Sequence, residues 1–206
     1  MTSLRHNPSD LDGPADREPR DVYLDAARDC ILDVGWRRTT LTEVARRAGV
    51  SRMTIYRTWS DMPELLGDLM TREWTALVAT SAATETAPGR GAVERIVASG
   101  FRTVRLLREN ELFVRIVELD PELLLPYLLA RRGRAQQAII DVLVSQIEEG
   151  QAAGEVRAGN PEVMARGLVL ATHGFVFSAH TMVDDEASER ALDGELRMIL
   201  TRVLRK

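Results

Sequence analysis

Residues 40–58 read TLTEVARRAGVSRMTIYRT, and this stretch predicts two short helices joined by a tight turn. Thr40 and Glu43 have the spacing of a capping box, in which the threonine hydroxyl accepts from the Glu43 amide and the carboxylate reaches back. Gly49 ends the first helix, and Ser51 is placed to cap the second. Start and stop signals for both helices therefore lie within 19 consecutive residues.

The turn between these helices is built from small residues, Ala48-Gly49-Val50-Ser51. A helix-turn-helix needs a small residue and a glycine at this point so that its two helices can cross closely. The second helix is then free to enter the major groove of DNA, which is wide enough for one α-helix. In this arrangement Ile55 faces the domain core and its neighbours face outward.

The side chains on and around the two helices suit contacts with DNA. Arginine binds guanine O6 and N7 in a bidentate way or holds a phosphate, and methionine and threonine touch the thymine methyl group. Hydroxyl groups near helix N-termini donate to phosphate. We predict a DNA-binding site made of Thr40, Thr42, Arg46, Arg47, Ser51, Arg52, Met53, Thr54, Tyr56 and Arg57.

The distribution of charge agrees with this interpretation. The chain of 206 residues has a net charge of −4, which is unlike a nucleic-acid binder as a whole. Between Gly35 and Ser60, however, six arginines stand against Glu43 as the one acidic residue. A basic block on an acidic chain indicates that one end meets a polyanion and the other does not.

Length and composition favour an all-helical protein of one or two small domains. The apolar fraction is 45% and the aromatic fraction only 5%, with Ala, Leu, Arg and Glu abundant. A polar, proline-containing flexible tail is predicted over 1–19, and a loop over 81–91. Further helices are predicted over 21–34, 62–80, 92–108, 111–119, 122–149, 161–182 and 187–204, about nine in total.

The sequence resembles the TetR family of transcriptional regulators over about residues 21–74. The resemblance is carried by TTLTEVARRAGVS at 39–51 and TIYRTW at 54–59, together with the capped helix that follows. The chain departs from the family pattern in two places. Met62 stands where the family often has a lysine that contacts phosphate, and Trp59 replaces a more frequent phenylalanine.

The resemblance implies an architecture and a function. It implies a three-helix DNA-binding domain over 20–74 and a helical ligand-sensing and dimerisation domain over 75–206. It also implies a homodimer that pairs through about 161–182 and 187–204, and binding to a double-stranded DNA operator. The expected function is a repressor that a small, largely hydrophobic ligand releases from a palindromic operator.

The ligand pocket is predicted from polar and aromatic side chains in apolar helical stretches. Arg105, Gln137 and His173 are candidates to orient a ligand, although a core or interface role for His173 remains open. The predicted lining is Phe101, Arg105, Phe113, Val117, Tyr127, Gln137, His173 and Phe177. The cluster Arg131-Arg132-Gly133-Arg134 is interpreted as a solvated face.

Other classes of function find little support. Cys30, the one cysteine, lies among apolar residues and fits a reducing cytoplasm, and no apolar run reaches the roughly 18 residues of a membrane span. His173 and His180 lack the partners of a metal site, so we predict no metal, no cofactor and no enzymatic activity. The alternative is a helical ligand- or partner-binding protein of the same fold that does not use DNA.

Overall fold

The structure is a computed structural model, and it describes residues 18–84 and 90–206. Within those ranges the chain forms ten α-helices, three short 3-10 segments and no strand, which confirms the all-helical fold. The α-helices are α1 (Pro19–Val34), α2 (Leu41–Arg47), α3 (Arg52–Thr58), α4 (Met62–Thr84), α5 (Ala92–Glu109), α6 (Glu111–Leu119), α7 (Leu125–Leu129), α8 (Arg134–Ala152), α9 (Pro161–Phe177) and α10 (Glu189–Leu204).

The helix-turn-helix forms as its local signals predict. The amide of Glu43 donates to the Thr40 hydroxyl at 3.2 Å and starts α2, while the amide of Thr54 donates to Ser51 at 3.1 Å and starts α3. Gly49 lies between them with a φ of +69°, a conformation that residues with a Cβ rarely adopt. The reach-back half of the capping box does not form, because the Glu43 carboxylate binds Arg46 instead.

Helix α4 extends to Thr84, four residues beyond its predicted end. The loop predicted over 81–91 is therefore shorter at its start, and its centre, residues 85–89, lies outside the described residues. The tail predicted over 1–19 also lies outside them up to residue 17. At its other end, Pro19 already begins α1, in the first turn, where a proline loses no helical hydrogen bond.

The prediction of a single helix over 122–149 is wrong. The chain instead forms a 3-10 segment at Pro121–Leu123, the short helix α7 and then α8. Pro126 has no N–H to give to a continuous helix and is accommodated in the first turn of α7. The N–H of Gly133 donates to the Gln136 side chain at 2.8 Å, so α8 starts afresh.

The last two helices are close to their predicted positions, with shorter ends. Helix α9 stops at Phe177 and is followed by a 3-10 segment, Ala179–Met182, where one helix was predicted to 182. The Ser188 hydroxyl accepts from the Ala191 amide at 3.2 Å and starts α10 two residues later than predicted. None of the helices in the described parts of the chain is long and apolar enough to cross a membrane.

The helices pack around two apolar cores. The first core joins α1–α4 with α6, so that Leu112, Phe113 and Ile116 of α6 pack with the N-terminal helices. The second core lies among α5, α8, α9 and α10 and contains Ile147, Leu168 and Leu196. The first core crosses the division predicted at residue 75, and that division stays a prediction.

Candidate functional site

Helix α3 presents an exposed surface above a buried anchor. Ile55 is fully buried, as predicted, whereas Arg52, Met53, Tyr56 and Arg57 are exposed. Met53 keeps 68% of its surface and Tyr56 keeps 49%, although both carry large apolar groups. Large apolar side chains that stay exposed close together on α3 indicate a surface that binds a partner.

Trp59 fixes α3 from below. It is fully buried directly after the end of α3, and its ring meets the edge of Tyr23 with the centroids 6.3 Å apart. Its indole N–H donates to Oδ2 of Asp68 on α4 at 2.6 Å. The position of α3 therefore depends on α1 through Tyr23 and on α4 through Asp68.

The four arginines of the predicted DNA-binding site differ in their surroundings. Arg46 pairs with Glu43 at 2.6 Å, and Arg47 pairs with Asp33 at 2.6 Å. The hydrogen bond from Arg46 lowers the pKa of Glu43. Among residues 18–84 and 90–206, Arg52 and Arg57 form no ion pair, and Arg52 donates to the Thr42 hydroxyl at 3.2 Å. The uncompensated positive charge therefore lies on α3.

The predicted hydroxyl groups lie at the helix N-termini. Thr40 and Ser51 are the N-caps of α2 and α3, and both are exposed. The hydroxyls of Ser51 and Thr54 lie 2.9 Å apart. Free amides and the positive end of the helix dipole favour an anion near these groups. The hydroxyls and the arginines without an ion pair thus provide the hydrogen-bond donors and the positive charge that bind a phosphate backbone.

A cavity of about 120 Å³ lies in the second half of the molecule. Four of the predicted lining residues border it, namely Phe113, Tyr127, His173 and Phe177. Burial lowers the pKa of His173, so its imidazole is held in the neutral form. A neutral histidine in an apolar wall suits a largely hydrophobic ligand.

The other four predicted lining residues lie elsewhere. Phe101 is buried with the Arg197 guanidinium 3.6 Å from its ring centroid, and Arg105 is exposed beside Glu109. Val117 packs against the first core, and Gln137 donates to Asp141 at 2.7 Å. None of these four borders the cavity as the structure describes it.

Several residues that the sequence reasoning missed do line the cavity. Gln136 borders the cavity where Gln137 was expected, because Gln136 lies on the same face of α8 as Ile139 and Leu143, which border the cavity as well. Gln146 and Trp74 also border it, and the Gln146 Oε1 and Trp74 Nε1 atoms are buried without a hydrogen-bond partner among the residues that the structure describes. No pattern in the sequence marks these atoms, since their lack of partners depends on the packing of distant helices.

The carboxylate of Asp68 on α4 binds side chains from three other parts of the fold. Besides the Trp59 indole, its carboxylate accepts from Arg20 at the start of α1 and from Arg134 at the start of α8. Burial acts to raise the pKa of Asp68, but the hydrogen bonds from Trp59, Arg134 and Arg20 outweigh it and lower the pKa. The charged carboxylate of Asp68 thus binds both Trp59, which lies beneath α3, and Arg134 in the first turn of α8.

Other reactive groups do not assemble into a site. Burial raises the pKa of the Cys30 thiol, which is 1% exposed. In the part of the chain that the structure describes, no three His, Cys, Asp or Glu side chains are grouped so as to hold a metal ion.

Comparisons with known proteins agree with this geometry. The model of the family described as bacterial regulatory proteins, tetR family, matches residues 24–69. An uncharacterised HTH-type transcriptional regulator of Mycobacterium bovis is 33% identical over 181 residues, which cover 88% of this chain and 92% of the relative. The chain belongs to the TetR family of bacterial regulatory proteins. It is a DNA-binding transcriptional regulator and not an enzyme.

Solved structures show the TetR-family fold along most of the chain. The transcriptional repressor QsdR of R. erythropolis superposes with a TM-score of 0.66 at 19% identity, covering 91% of this chain and 96% of that one. SmeT, solved in complex with triclosan, gives a TM-score of 0.59 at 25% identity, with 92% and 93% covered.

The two departures from the TetR-family pattern have different outcomes. Trp59 still packs under the recognition helix α3, and its indole nitrogen adds the bond to Asp68 that a phenylalanine would lack. Met62 opens α4 half-buried against the first core. Its thioether carries no charge for a phosphate, so this regulator lacks one cation that relatives often have at that position.

Proposed function

We propose that this regulator is a homodimeric repressor that a small, largely hydrophobic ligand releases from a palindromic operator. The observation that carries the proposal is the double role of α4. Trp74 and Val78 of α4 border the apolar cavity, and Asp68 of the same helix holds Trp59 beneath α3. A ligand in the cavity therefore touches the element that positions the recognition helix.

The exposed residues of the helix-turn-helix would divide the work of DNA binding. Arg52 and Arg57 suit guanine edges or phosphates, and Met53 and Thr54 suit thymine methyl groups. Contacts to phosphate are proposed for the hydroxyls and for the two ion-paired arginines, whose exposed pairs with carboxylates are weak and exchange readily. This group contains Thr40, Thr42, Arg46, Arg47, Ser51 and Tyr56.

Exposed apolar residues on the last two helices support the homodimer. On α9, Val163 is 65% exposed and Leu170 is 69% exposed. Gly167 and Gly174 are exposed on α9 as well, and, apart from the adjoining backbone of α9 itself, no atom of the described residues lies within 4 Å of where a Cβ would stand at either glycine. A face of apolar and small residues allows close approach of a second copy, and two-fold proteins read palindromic half-sites.

Release would be a shift between two populations. A ligand that favours a conformation in which α4 tilts would separate the two recognition helices of the dimer, so that the half-site spacing fails. A hundredfold preference for that conformation supplies roughly 2.7 kcal/mol of coupling. SmeT, which was solved with triclosan, has the same fold, and the apolar cavity supports a ligand of similar hydrophobic character here. The proposed place of action is the cytoplasm, where operator DNA is found.

Fluorescence anisotropy with the upstream intergenic DNA of the gene tests the repressor proposal. Purified protein is measured at two salt concentrations beside Arg52→Ala and Tyr56→Phe, with Arg105→Ala as a control in an exposed arginine remote from α3. We expect tight, salt-sensitive binding to one palindromic segment, weakened in the first two variants and unchanged in the third. Binding no tighter than to random DNA, with no preferred site in a genome-wide selection, would favour the sensor that does not use DNA.

Light scattering tests the dimer separately. Leu170→Glu places a charge on the exposed face of α9, and Leu129→Glu places the same charge at a leucine that is 80% exposed on α7. We expect the α9 variant to elute as a monomer and the α7 variant to remain a dimer. A monomeric wild-type protein, or a dimeric Leu170→Glu, would count against pairing through α9.

A further inference from the structure

A second cavity, of about 270 Å³, opens between the first half of α4 and the segment that leads into α8. Three arginines line it, Arg131, Arg132 and Arg134, and Glu64 is the carboxylate on the same wall. The basic cluster predicted as a solvated face therefore borders a concave space. Its arginines are exposed at that border and are available to a ligand from solution.

Two of these arginines keep their charge uncompensated. Within the described parts of the chain, Arg131 and Arg132 form no ion pair. The Arg131 guanidinium lies 5.1 Å from the centroid of the Tyr127 ring, and Arg132 donates to the neutral side chain of Gln137. The ring and the amide hold both side chains near the cavity without cancelling their charge.

The remaining charges at this cavity are already satisfied. Arg134 binds the Asp68 carboxylate, and Glu64 accepts from the amide and hydroxyl of Ser60 at 2.8 and 2.9 Å. The hydrogen bonds from Ser60 lower the pKa of Glu64, which stays anionic. Even so, the arginines outnumber the carboxylates, so the cavity attracts an anion.

The basic cavity adjoins the apolar one. Trp74, Leu124, Tyr127 and Gln136 border both spaces. Within residues 18–84 and 90–206, the Trp74 indole N–H at this junction is buried without an acceptor, and such a donor is costly unless a ligand or water satisfies it. Each cavity alone is smaller than a typical small-molecule site, but together they reach the range of roughly 300–1,000 Å³.

We propose that the two cavities form one effector site for an amphipathic anion, a molecule with an apolar tail and a carboxylate or phosphate head. The tail fills the apolar cavity, and the head lies in the second cavity against the guanidinium groups of Arg131 and Arg132. Planar guanidinium groups bind such heads through two parallel hydrogen bonds. The proposal rests on the ligand-responsive function proposed above and names the chemical class of that ligand.

The same placement links the head group to DNA binding. An anion in the second cavity competes with Asp68 for Arg134, because Arg134 lines that cavity and binds Asp68. Asp68 in turn holds Trp59 and Arg20. Withdrawal of Arg134 would remove its bond between α8 and Asp68 on α4 while leaving the Trp59 bond in place, and a weaker connection between these two helices favours a tilt of α4.

Isothermal titration calorimetry on the full-length protein tests the site. The probes are dodecanoate and dodecyl phosphate, each below its micelle-forming concentration, and dodecan-1-ol, below its solubility limit in water. Because a charge-assisted hydrogen bond is stronger than one between neutral groups, we expect at least one anion to bind about tenfold or more tightly than the alcohol. The tighter of the two anions identifies the head group as carboxylate or phosphate.

Variants locate the head group. Arg131→Gln with Arg132→Gln should abolish the preference for the anion and leave dodecan-1-ol binding unchanged. The matched double change to lysine keeps both charges and should retain most of the preference, and Arg105→Gln should retain all of it. Equal binding of anions and alcohol, no binding of any probe, or a preference that survives the double glutamine variant would overturn the proposal.

Operator binding, measured without any probe, separates this proposal from the repressor proposal. The double glutamine variant should bind the operator as the wild type does, since Arg131 and Arg132 lie outside α2 and α3. If the protein prefers the anions but binds no operator, the proposed anion site is supported and the repressor proposal fails. If the protein binds an operator but shows no preference for the anions, the repressor proposal is supported and the proposed anion site fails.

Discussion

The indole nitrogen of Trp59 lies 2.6 Å from Oδ2 of Asp68, and this contact joins the end of the recognition helix to α4. The tryptophan is fully buried and the aspartate is 8% exposed, so the bond is shielded from water. Arg20 and Arg134 bind the same carboxylate from α1 and α8. The carboxylate of Asp68 on α4 therefore contacts Trp59, which lies beneath α3, and Arg134, which lines the second cavity.

Asp68→Ala should destabilise the protein. The substitution leaves the buried Trp59 N–H without an acceptor, and an unsatisfied buried donor costs about 1–3 kcal/mol. Urea denaturation followed by tryptophan fluorescence measures the free energy of unfolding. Asp141→Ala is the matched control, since Asp141 is exposed and binds only the Gln137 side chain. We expect that control to stay within about 0.5 kcal/mol of wild type; equal effects would mean that the Trp59–Asp68 bond contributes little.

His173 should make stability depend on pH. Burial lowers its pKa from 6.5 in the folded protein, so below pH 6.5 the unfolded chain binds more protons. The stabilising contribution is present above pH 6.5 and is lost as the pH falls from 6.5 towards the folded pKa. Between pH 7.5 and 5.5, we expect Tm to fall by at least about 2 °C more in wild type than in His173→Gln.

A second histidine provides the control for this pH experiment. His180 lies exposed in the 3-10 segment after α9, and His180→Gln should keep the wild-type dependence on pH. If His173→Gln and wild type lose stability in parallel, the imidazole is protonated inside the fold and does not stay neutral at the cavity wall.

The helix-turn-helix was predictable because its signals are local. Thr40, Gly49 and Ser51 each act within four residues of themselves, through a cap or a backbone conformation, and sequence spacing describes such contacts completely. One local expectation was nevertheless wrong, because two partners lie within reach of the same carboxylate. Glu43 was expected to reach back to the N-cap, but Arg46, one turn along α2, offered a charged partner.

The arrangement of the later helices was less predictable, because their contacts join residues that are far apart in the sequence. Gln136 borders the cavity and Gln137 does not, because the face of α8 that carries Gln136, Ile139 and Leu143 turns toward the cavity, and that orientation depends on packing against other helices. Asp68 carried no signal in the sequence, since its partners are nine, 48 and 66 residues away. Periodicity identifies which faces of a helix are apolar, but it does not say which distant arginine will meet a buried carboxylate.

Met62→Lys should strengthen DNA binding. The substitution supplies a cation at the start of α4, where TetR-family regulators often have a lysine, and one added phosphate contact steepens the dependence of log K on log salt by about 0.9. Anisotropy titrations over a range of salt give that slope. Met182→Lys adds the same charge far from α3, at a methionine that is 62% exposed, and should leave the slope unchanged. An unchanged slope in Met62→Lys would place this residue away from the DNA.

Gly150→Ala should destabilise the protein although it lies inside a helix, where alanine is ordinarily better by roughly 0.5–1 kcal/mol. The sequence placed Gly150 in the connection after α8, but the helix continues to Ala152 with this glycine buried. A Cβ there would stand 2.5 Å from Val156 Cγ2 and 3.0 Å from Ala92 Cβ, and such overpacking costs about 1–3 kcal/mol. At Gly100 in α5 the nearest atom, Leu200 Cδ1, would be 3.9 Å away, so Gly100→Ala should be neutral or stabilising. Thermal unfolding should therefore give a lower Tm for Gly150→Ala and an unchanged or higher Tm for Gly100→Ala, and a raised Tm in both variants would mean that α8 does not pack this closely on Val156.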